Sequence, residues 1–387
     1  MRILMIHPHD LNSPMEPWTI RIKKFADELA DRGHEVTVGY FPITQSEQSV
    51  FRGIRIVPLD RRISCGGFIK NAAAIYKLAC QADIIHFQKA HFYAVIPVLL
   101  AALFSGKPLH YDWDDWEERI FDLAIRNKTP SSLLIGFSFY VMENCLPFLA
   151  DSVSVSSEAL RKLSIKRGAK GKNVVVAPVG ADLKRFYPGR SGAAVRRKHD
   201  LTDEIVAFYH GQLHSCQYVR MFLQAAKIIV QKNTGIPLKV MIVGSGSDLG
   251  PLESFSRELG LDQMVIFTGF IPHDDIPDYI AAADICVAPF EDNEVTRCKS
   301  PLKIAEYMAA GKPVVASHVG EVGHMLGGAG LLIAPRSPEQ LAEGILRLAN
   351  NPELRGKMSV AARKGAEERY NWRCSVKNLE AVYMNIL

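Results

Sequence analysis

The chain has 387 residues, 48% of them apolar, and a formal net charge of +5. That length suits two domains with sizeable cores, and the mild charge fits anionic small molecules or an anionic membrane surface but does not argue for nucleic acid. Seven cysteines without a Cys-x-x-Cys pair exclude a disulfide framework or a zinc site by pattern and point to reduced thiols in a cytoplasmic setting.

The amino terminus is too short for a signal peptide and reads as a strand over Arg2 to His7. The loop His7-Pro8-His9-Asp10 follows, then a helix from Trp18 to Arg32 stopped by Gly33. Further strands read at Val36 to Tyr40, Ile54 to Pro58, Ile84 to Phe87, Leu109 to Tyr111, Ser152 to Val155 and Asn173 to Ala177. Helices fall between them at Gly66 to Cys80, Phe92 to Ser105 and Ser131 to Ala150. This alternation predicts βαβ units and a parallel sheet. The longest apolar run, Ala94 to Phe104, is short of the ~18 residues a bilayer span needs, so no crossing is expected.

Ligands of open parallel sheets sit beyond the carboxyl ends of strands. Two loops there carry chemistry: His7 to Asp10, and Tyr111-Asp-Trp-Asp-Asp-Trp-Glu-Glu118. Five carboxylates within seven residues repel one another unless something cationic or hydroxyl-rich shares their space. Asp114 and Asp115 are candidates for orienting an acceptor hydroxyl, and Trp113 and Trp116 for stacking on a sugar ring. The alternatives are that the carboxylates cap the next helix and face water, or hold a metal, although their spacing fits no metal loop.

After Gly189 to Asp200, a small, polar and basic stretch read as a linker, a second series begins. Strands read at Ile205 to His210, Leu238 to Val243, Met264 to Thr268, Ile285 to Pro289 and Val314 to Ala316. Helices read at Tyr218 to Gln231, Ile276 to Ala283, Pro338 to Ala349 and Glu353 to Tyr370. The expected domains are 1–188, completed by 372–387, and 201–371. The glycine turn at Gly244 follows a strand and can approach a phosphate, or is simply a tight turn.

The most informative stretch is Cys298-Lys-Ser-Pro-Leu-Lys-Ile-Ala-Glu-Tyr-Met-Ala-Ala-Gly-Lys-Pro-Val-Val-Ala-Ser317. Ser300 reads as an N-cap, Pro301 as the first helical residue with Leu302 after it, and Gly311 as a left-handed stop. A helix start is an anion site. Lys303 in its first turn is locally unfavourable unless an anion lies there, and Glu306 shares its face. Lys303 would neutralise phosphate and Glu306 accept from sugar hydroxyls; the plain alternative is a solvated surface pair.

The same stretch resembles the nucleotide-sugar signature of retaining GT-B glycosyltransferases of the family 4 (group 1) type, Ser-Pro-x-Lys-x-x-Glu-Tyr-Met-Ala-x-Gly-x-Pro-Val-Val. The resemblance implies an α/β GT-B fold, two Rossmann-like domains facing across a cleft with a C-terminal helix returning to the first. It implies a nucleoside-diphosphate sugar donor, UDP- or GDP-linked, a glycan or lipid-linked acceptor, and no catalytic metal or other cofactor. Asn173 to Pro188 resembles the family's end-of-domain segment. By the same resemblance Gly269 and Ile271 hold the nucleotide base through backbone atoms, and Asp114 and Asp115 fall where relatives carry a His-Asp pair, as an Asp-x-Asp-Asp variant. Three departures stand out. Gln212 after Gly211, and Gln217, replace an Arg and a Lys that bind diphosphate, and Cys298 replaces a Glu. Arg220, Arg297 or Lys299 can substitute; otherwise the fold binds a nucleotide or glycan without transfer. Aliphatic and basic faces at 92–104 and 161–172 leave room for peripheral membrane contact.

Overall fold

The computed structural model describes residues 1–12, 17–43, 53–125, 129–214 and 217–387, the side chains of Pro17, Ala124 and Gln217 excepted. Two parallel α/β sheets organise it. The first contains β1 Arg2–His7, β2 Glu35–Tyr40, β3 Arg55–Pro58, β4 Ile84–Gln88, β5 Leu109–Trp113, β6 Ser152–Val155 and β7 Val174–Val176, in the order β3-β2-β1-β4-β5-β6-β7. The second contains β8 Ile205–His210, β9 Leu238–Val243, β10 Val265–Gly269, β11 Ile285–Ala288, β12 Val314–Ser317 and β13 Gly330–Ile333, in the order β10-β9-β8-β11-β12-β13. Every strand pair is parallel, as alternation with helices requires.

The central strands are apolar on both faces because helices cover both. Ile3, Leu4, Met5 and Ile6 of β1 are all buried, and Ile3 registers with Val36 on one side and Ile84 on the other. In the second sheet Val240, Ile242 and Val287 join Phe222 and Ile345 of the covering helices in one core.

The chain divides into two compact units, Met1–Val179 with Cys298–Ser300 and Trp372–Leu387, and Gly180–Arg297 with Pro301–Asn371. The helix Trp372–Met384 packs on the helix Pro17–Asp31 of the first unit. There Glu380 stands 2.7 Å from His34 Nε2 and accepts from Arg32 Nη1 at 3.0 Å.

Some elements depart from the sequence expectation. The segment read as a linker contains a helix, Ala193–Lys198. The Arg196 guanidinium ties it down by donating to the carbonyls of Ala282, Thr202 and Glu204. The helix Glu158–Lys166 also lay unread within a basic run, although Ser157 caps it by accepting from the Leu160 N–H. The four-residue β13, glycine-led and buried only at Ile333, is too short to show a strand period.

Candidate functional site

Each sheet reverses its strand order once, between β1 and β4 and between β8 and β11. A switch of this kind opens a crevice at the strands' carboxyl ends.

In the second unit, three glycine turns line up at that end. The Gly211 N–H donates to the Val243 carbonyl and the Gly244 N–H to the Gly269 carbonyl. Gly211 and Gly244 have φ of 150° and 151°, and a Cβ on Gly244 would stand 1.9 Å from the Gly211 oxygen. No side chain fits between these strands. Lys303 reaches the same place: its Nζ lies 2.6 Å from where a Gly211 Cβ would be, 4.0 Å above the Tyr209 ring. Gln212 is exposed and Ile271 half-buried, while the Gln217 side chain lies outside the described residues.

The helix carrying Lys303 runs Leu302–Ala309, with Pro301 at its N-cap in an extended conformation and no side-chain cap. Ser300 therefore does not cap it. A residue before proline is pushed out of the helical region, and the Ser300 hydroxyl instead accepts from the Val179 N–H at 3.4 Å, within the first unit. The stop is as expected: Gly311 has φ of 64°, its N–H donates to Met308, and the Lys312 N–H donates to Tyr307.

Glu306, 1% exposed, is not a solvated surface partner of Lys303. Its Oε1 lies 2.6 Å from His273 Nε2, and its Oε2 lies 3.2 Å from His210 Nε2 in a contact that lacks hydrogen-bond geometry. Burial opposes ionisation of Glu306, but the two imidazoles outweigh it and bring the carboxyl down to about 2. Burial also lowers His210. Oε2 is thus a buried acceptor without a donor in place. His210 and His273 went unread in the sequence. Both follow strand ends, His210 closing β8 and His273 lying four residues past Gly269, so the strand-end rule applied to every strand would have found them.

Two of the candidate substitutes for the missing cations, Arg297 and Arg220, are engaged elsewhere. Arg297 binds Asp292 through Nε and Nη2 at 2.6 and 2.9 Å, and the Arg220 guanidinium stacks 3.5 Å from the Phe255 ring. Cys298 is buried in the core of the first unit.

The acidic loop of the first unit is resolved by internal cations. Asp112, fully buried, accepts from Arg21 Nε and Nη2 at 2.8 and 2.7 Å and from the Ser154 hydroxyl. Lys89, 2% exposed and at a φ of 66°, places its ammonium 3.3 Å from Asp114 and 3.8 Å from Asp115, and in contact with Glu117. Oxygens of these three carboxylates lie within 4.8 Å of one another, an arrangement that can hold a metal ion, and the Lys89 ammonium sits at it. Burial pushes Asp114 up to about 7, with Lys89 opposing and Asp115 adding to the rise. Burial keeps His7 and His91 neutral, each lowered to about 3.

Trp113 is a core residue and cannot stack on a sugar. It is fully buried, and its Nε1–H donates to Glu143 at 2.8 Å. Glu143, itself buried, also accepts the N–H groups of Glu117 and Glu118. A carboxylate from another helix thus caps the helix Glu117–Ala124, a role that one of the alternatives gave to the loop's own carboxylates. Trp116 is half-buried, with the guanidiniums of Arg119 and Arg167 on its ring.

Residues 204–351 match the family described as "Glycosyl transferases group 1". Among curated proteins, the chain is 28% identical over 228 residues to the D-inositol 3-phosphate glycosyltransferase of Corynebacterium urealyticum, covering 56% of this chain and 52% of that one. It is 29% identical over 254 residues to the putative glycosyltransferase YtcC of Bacillus subtilis, covering 61% and 60%. The chain thus spans 52% and 60% of the length of these relatives. Among solved structures, the sucrose-phosphate synthase of Thermosynechococcus elongatus superposes with a TM-score of 0.78 at 18% identity, over 100% of this chain and 99% of that one. Anabaena Alr3699/HepE in complex with UDP-glucose does so with a TM-score of 0.75 at 19% identity, over the whole of both chains. These likenesses show the fold: two Rossmann-like parallel-sheet units of the GT-B kind.

Proposed function

We propose that the protein is a retaining glycosyltransferase that moves a sugar from a UDP- or GDP-linked donor to a hydroxyl of a glycan or lipid-linked acceptor. One observation carries this reading. At the β8/β11 switch, where the Gly211 and Gly244 turns pack too closely for any side chain, Lys303 brings an ammonium to Gly211, and, one turn on, the buried Glu306 has an Oε2 without a hydrogen bond. The match of residues 204–351 to group 1 glycosyltransferases and the bound UDP-glucose of the HepE structure support the same reading.

In this reading the donor diphosphate meets Lys303, the Gly211 and Gly244 turns and the uncapped amides at Leu302. A ribose hydroxyl donates to Glu306, with Gly269 and Ile271 against the base and Gln212 beside the phosphates. The sugar's C1–O bond breaks with its electron pair leaving on the diphosphate, whose growing charge Lys303 stabilises. The acceptor oxygen forms the new bond on the same face. Its proton passes to the departing phosphate oxygen, so no protein nucleophile is needed. The chemistry calls for no cofactor or metal beyond the donor. The free thiols among the described residues, such as Cys65, Cys145 and Cys286, suit the cytoplasm.

Lys303→Ala and Glu306→Ala should each lower donor turnover on the order of 10²–10³-fold, the scale of removing one charge-stabilising group. Near-normal turnover in both variants overturns the assignment. The exposed Gln212 and the engaged Arg220 and Arg297 favour a second reading, a nucleotide-binding protein without transfer. Calorimetry that finds tight UDP or GDP binding, with no sugar released from any donor, would select it.

A further inference from the structure

The helix Pro130–Leu149 presents a problem the proposed activity leaves unsolved. Among the described residues it is the one helix of 20 residues long and apolar enough to cross a membrane, although no single apolar run in the sequence suggested a span. It does not leave the fold. Phe139, Glu143, Leu146 and Pro147 form its buried stripe, and Glu143 is held by Trp113, Glu117 and Glu118. The other face stands in solvent: Leu134 is 70% exposed, Phe137 63% and Phe148 70%, with Leu133, Tyr140 and Leu149 beside them. Glu143 is the helix's sole charged residue, so its outer face carries no charge at all. Exposed apolar patches of this kind mark interaction surfaces.

The chemistry next to this face says what covers it. Phe148 abuts the turn at Gly168, where an added Cβ would stand 3.1 Å from Phe148 Cβ. That turn lies within a run from Ala159 to Ala181 that contains six cations and no acidic residue. Lys162, Lys166, Lys170 and Lys172 of the run are exposed. An apolar helix face lying in the surface, flanked by unopposed lysines, is the pattern that seats a protein in the headgroup layer of an anionic bilayer. We propose that the first unit docks peripherally on an anionic phospholipid surface through this face, with Leu134, Phe137 and Phe148 entering the acyl boundary and the lysines meeting lipid phosphates. The inference does not rest on the donor reading.

Flotation of the full chain with vesicles tests it. The chain should float with vesicles of phosphatidylcholine mixed with phosphatidylglycerol, far less with phosphatidylcholine alone, and high salt should weaken binding on the order of tenfold. The triple variant Leu134→Ser/Phe137→Ser/Phe148→Ser should lose more than about tenfold while keeping its melting temperature, since it removes exposed side chains. Lys166→Gln, Lys170→Gln and Lys172→Gln should each cost about fivefold on anionic vesicles. Failure to float with mixed vesicles overturns the proposal, as does a triple variant that floats like the native chain. Sedimentation that shows a dimer dissolved by the triple variant overturns it too, by making a second copy the occupant.

Discussion

Beyond β4 and β5 the first unit packs three carboxylates around the ammonium of Lys89 and closes Asp112 on Arg21. Beyond β8 the second unit sets the Lys303 ammonium over an aromatic ring and holds Glu306 between two imidazoles, its Oε2, like Asp114 Oδ1 of the first unit, lacking a hydrogen bond. The residue types are alike and their use is not. Around Lys89 and Arg21 buried cations and carboxylates face one another inside the first unit and hold its loops in place. Around Lys303 and Glu306 the partners are an aromatic ring and imidazoles. On the proposed function, loss of Arg21 or Lys89 should cost stability and loss of Lys303 or Glu306 should cost binding.

The largest effect should come from breaking the closed side. Arg21 and Asp112 have side chains 1% and 0% exposed, so Arg21→Ala strands a buried carboxylate. It should destabilise the chain by about 3–5 kcal/mol in urea unfolding. Lys303→Ala, its counterpart in the second unit, removes a half-buried ammonium from the Tyr209 ring and should cost less, about 0.5–1 kcal/mol.

Next is Gly211→Ala. At φ of 150° an L-residue is strained, and the added methyl would press on Lys303 Nζ. A loss of about 1–3 kcal/mol is expected, together with weaker nucleotide binding by calorimetry. Binding that survives intact would separate Lys303 from the site.

The two regions should also titrate in opposite senses. Glu306 is lowered to about 2, so its contribution to stability is complete above its unfolded pKa near 4.5 and fades as pH falls below that. Asp114 is raised to about 7, so the folded state favours its neutral form. That contribution is complete below about pH 4 and is lost as pH rises towards 7. Relative to Asp114→Asn, the native chain should therefore weaken on the order of a kcal/mol between pH 4 and 7. Relative to Glu306→Gln, it should weaken on acidification below pH 4.5. Unfolding of the three proteins across pH checks both signs.

Among the smallest effects should be Ser300→Ala. Its hydroxyl caps no helix, and the bond it accepts from the Val179 N–H is long at 3.4 Å, so a loss of about 1 kcal/mol is expected, the typical net worth of a hydrogen bond.

Much of this was legible in the chain itself. Strands such as β8 and β9 and the helices Phe92–Ser105 and Pro338–Ala349 fall where periodicity and punctuation put them, because apolar spacing and Pro and Gly stops are local signals. The same local logic identified Gly311 as a left-handed stop and marked Lys303 with Glu306 as a pair worth explaining. It went wrong where partners are distant in sequence. Trp113 looked available for stacking until Glu143, 30 residues on, took its N–H. The five carboxylates were read as needing something cationic or hydroxyl-rich beside them; the cations they meet, Arg21, Lys89 and Arg167, all lie outside the acidic run.

By itself, then, the sequence determined the alternating elements, the parallel sheets and the residue types gathered at strand ends, since each depends on spacing along a few turns of chain. Tertiary structure alone decided which partner each buried charge meets, because such a charge is set by whatever side chain arrives opposite it, as Lys89 does for Asp114 and His273 for Glu306.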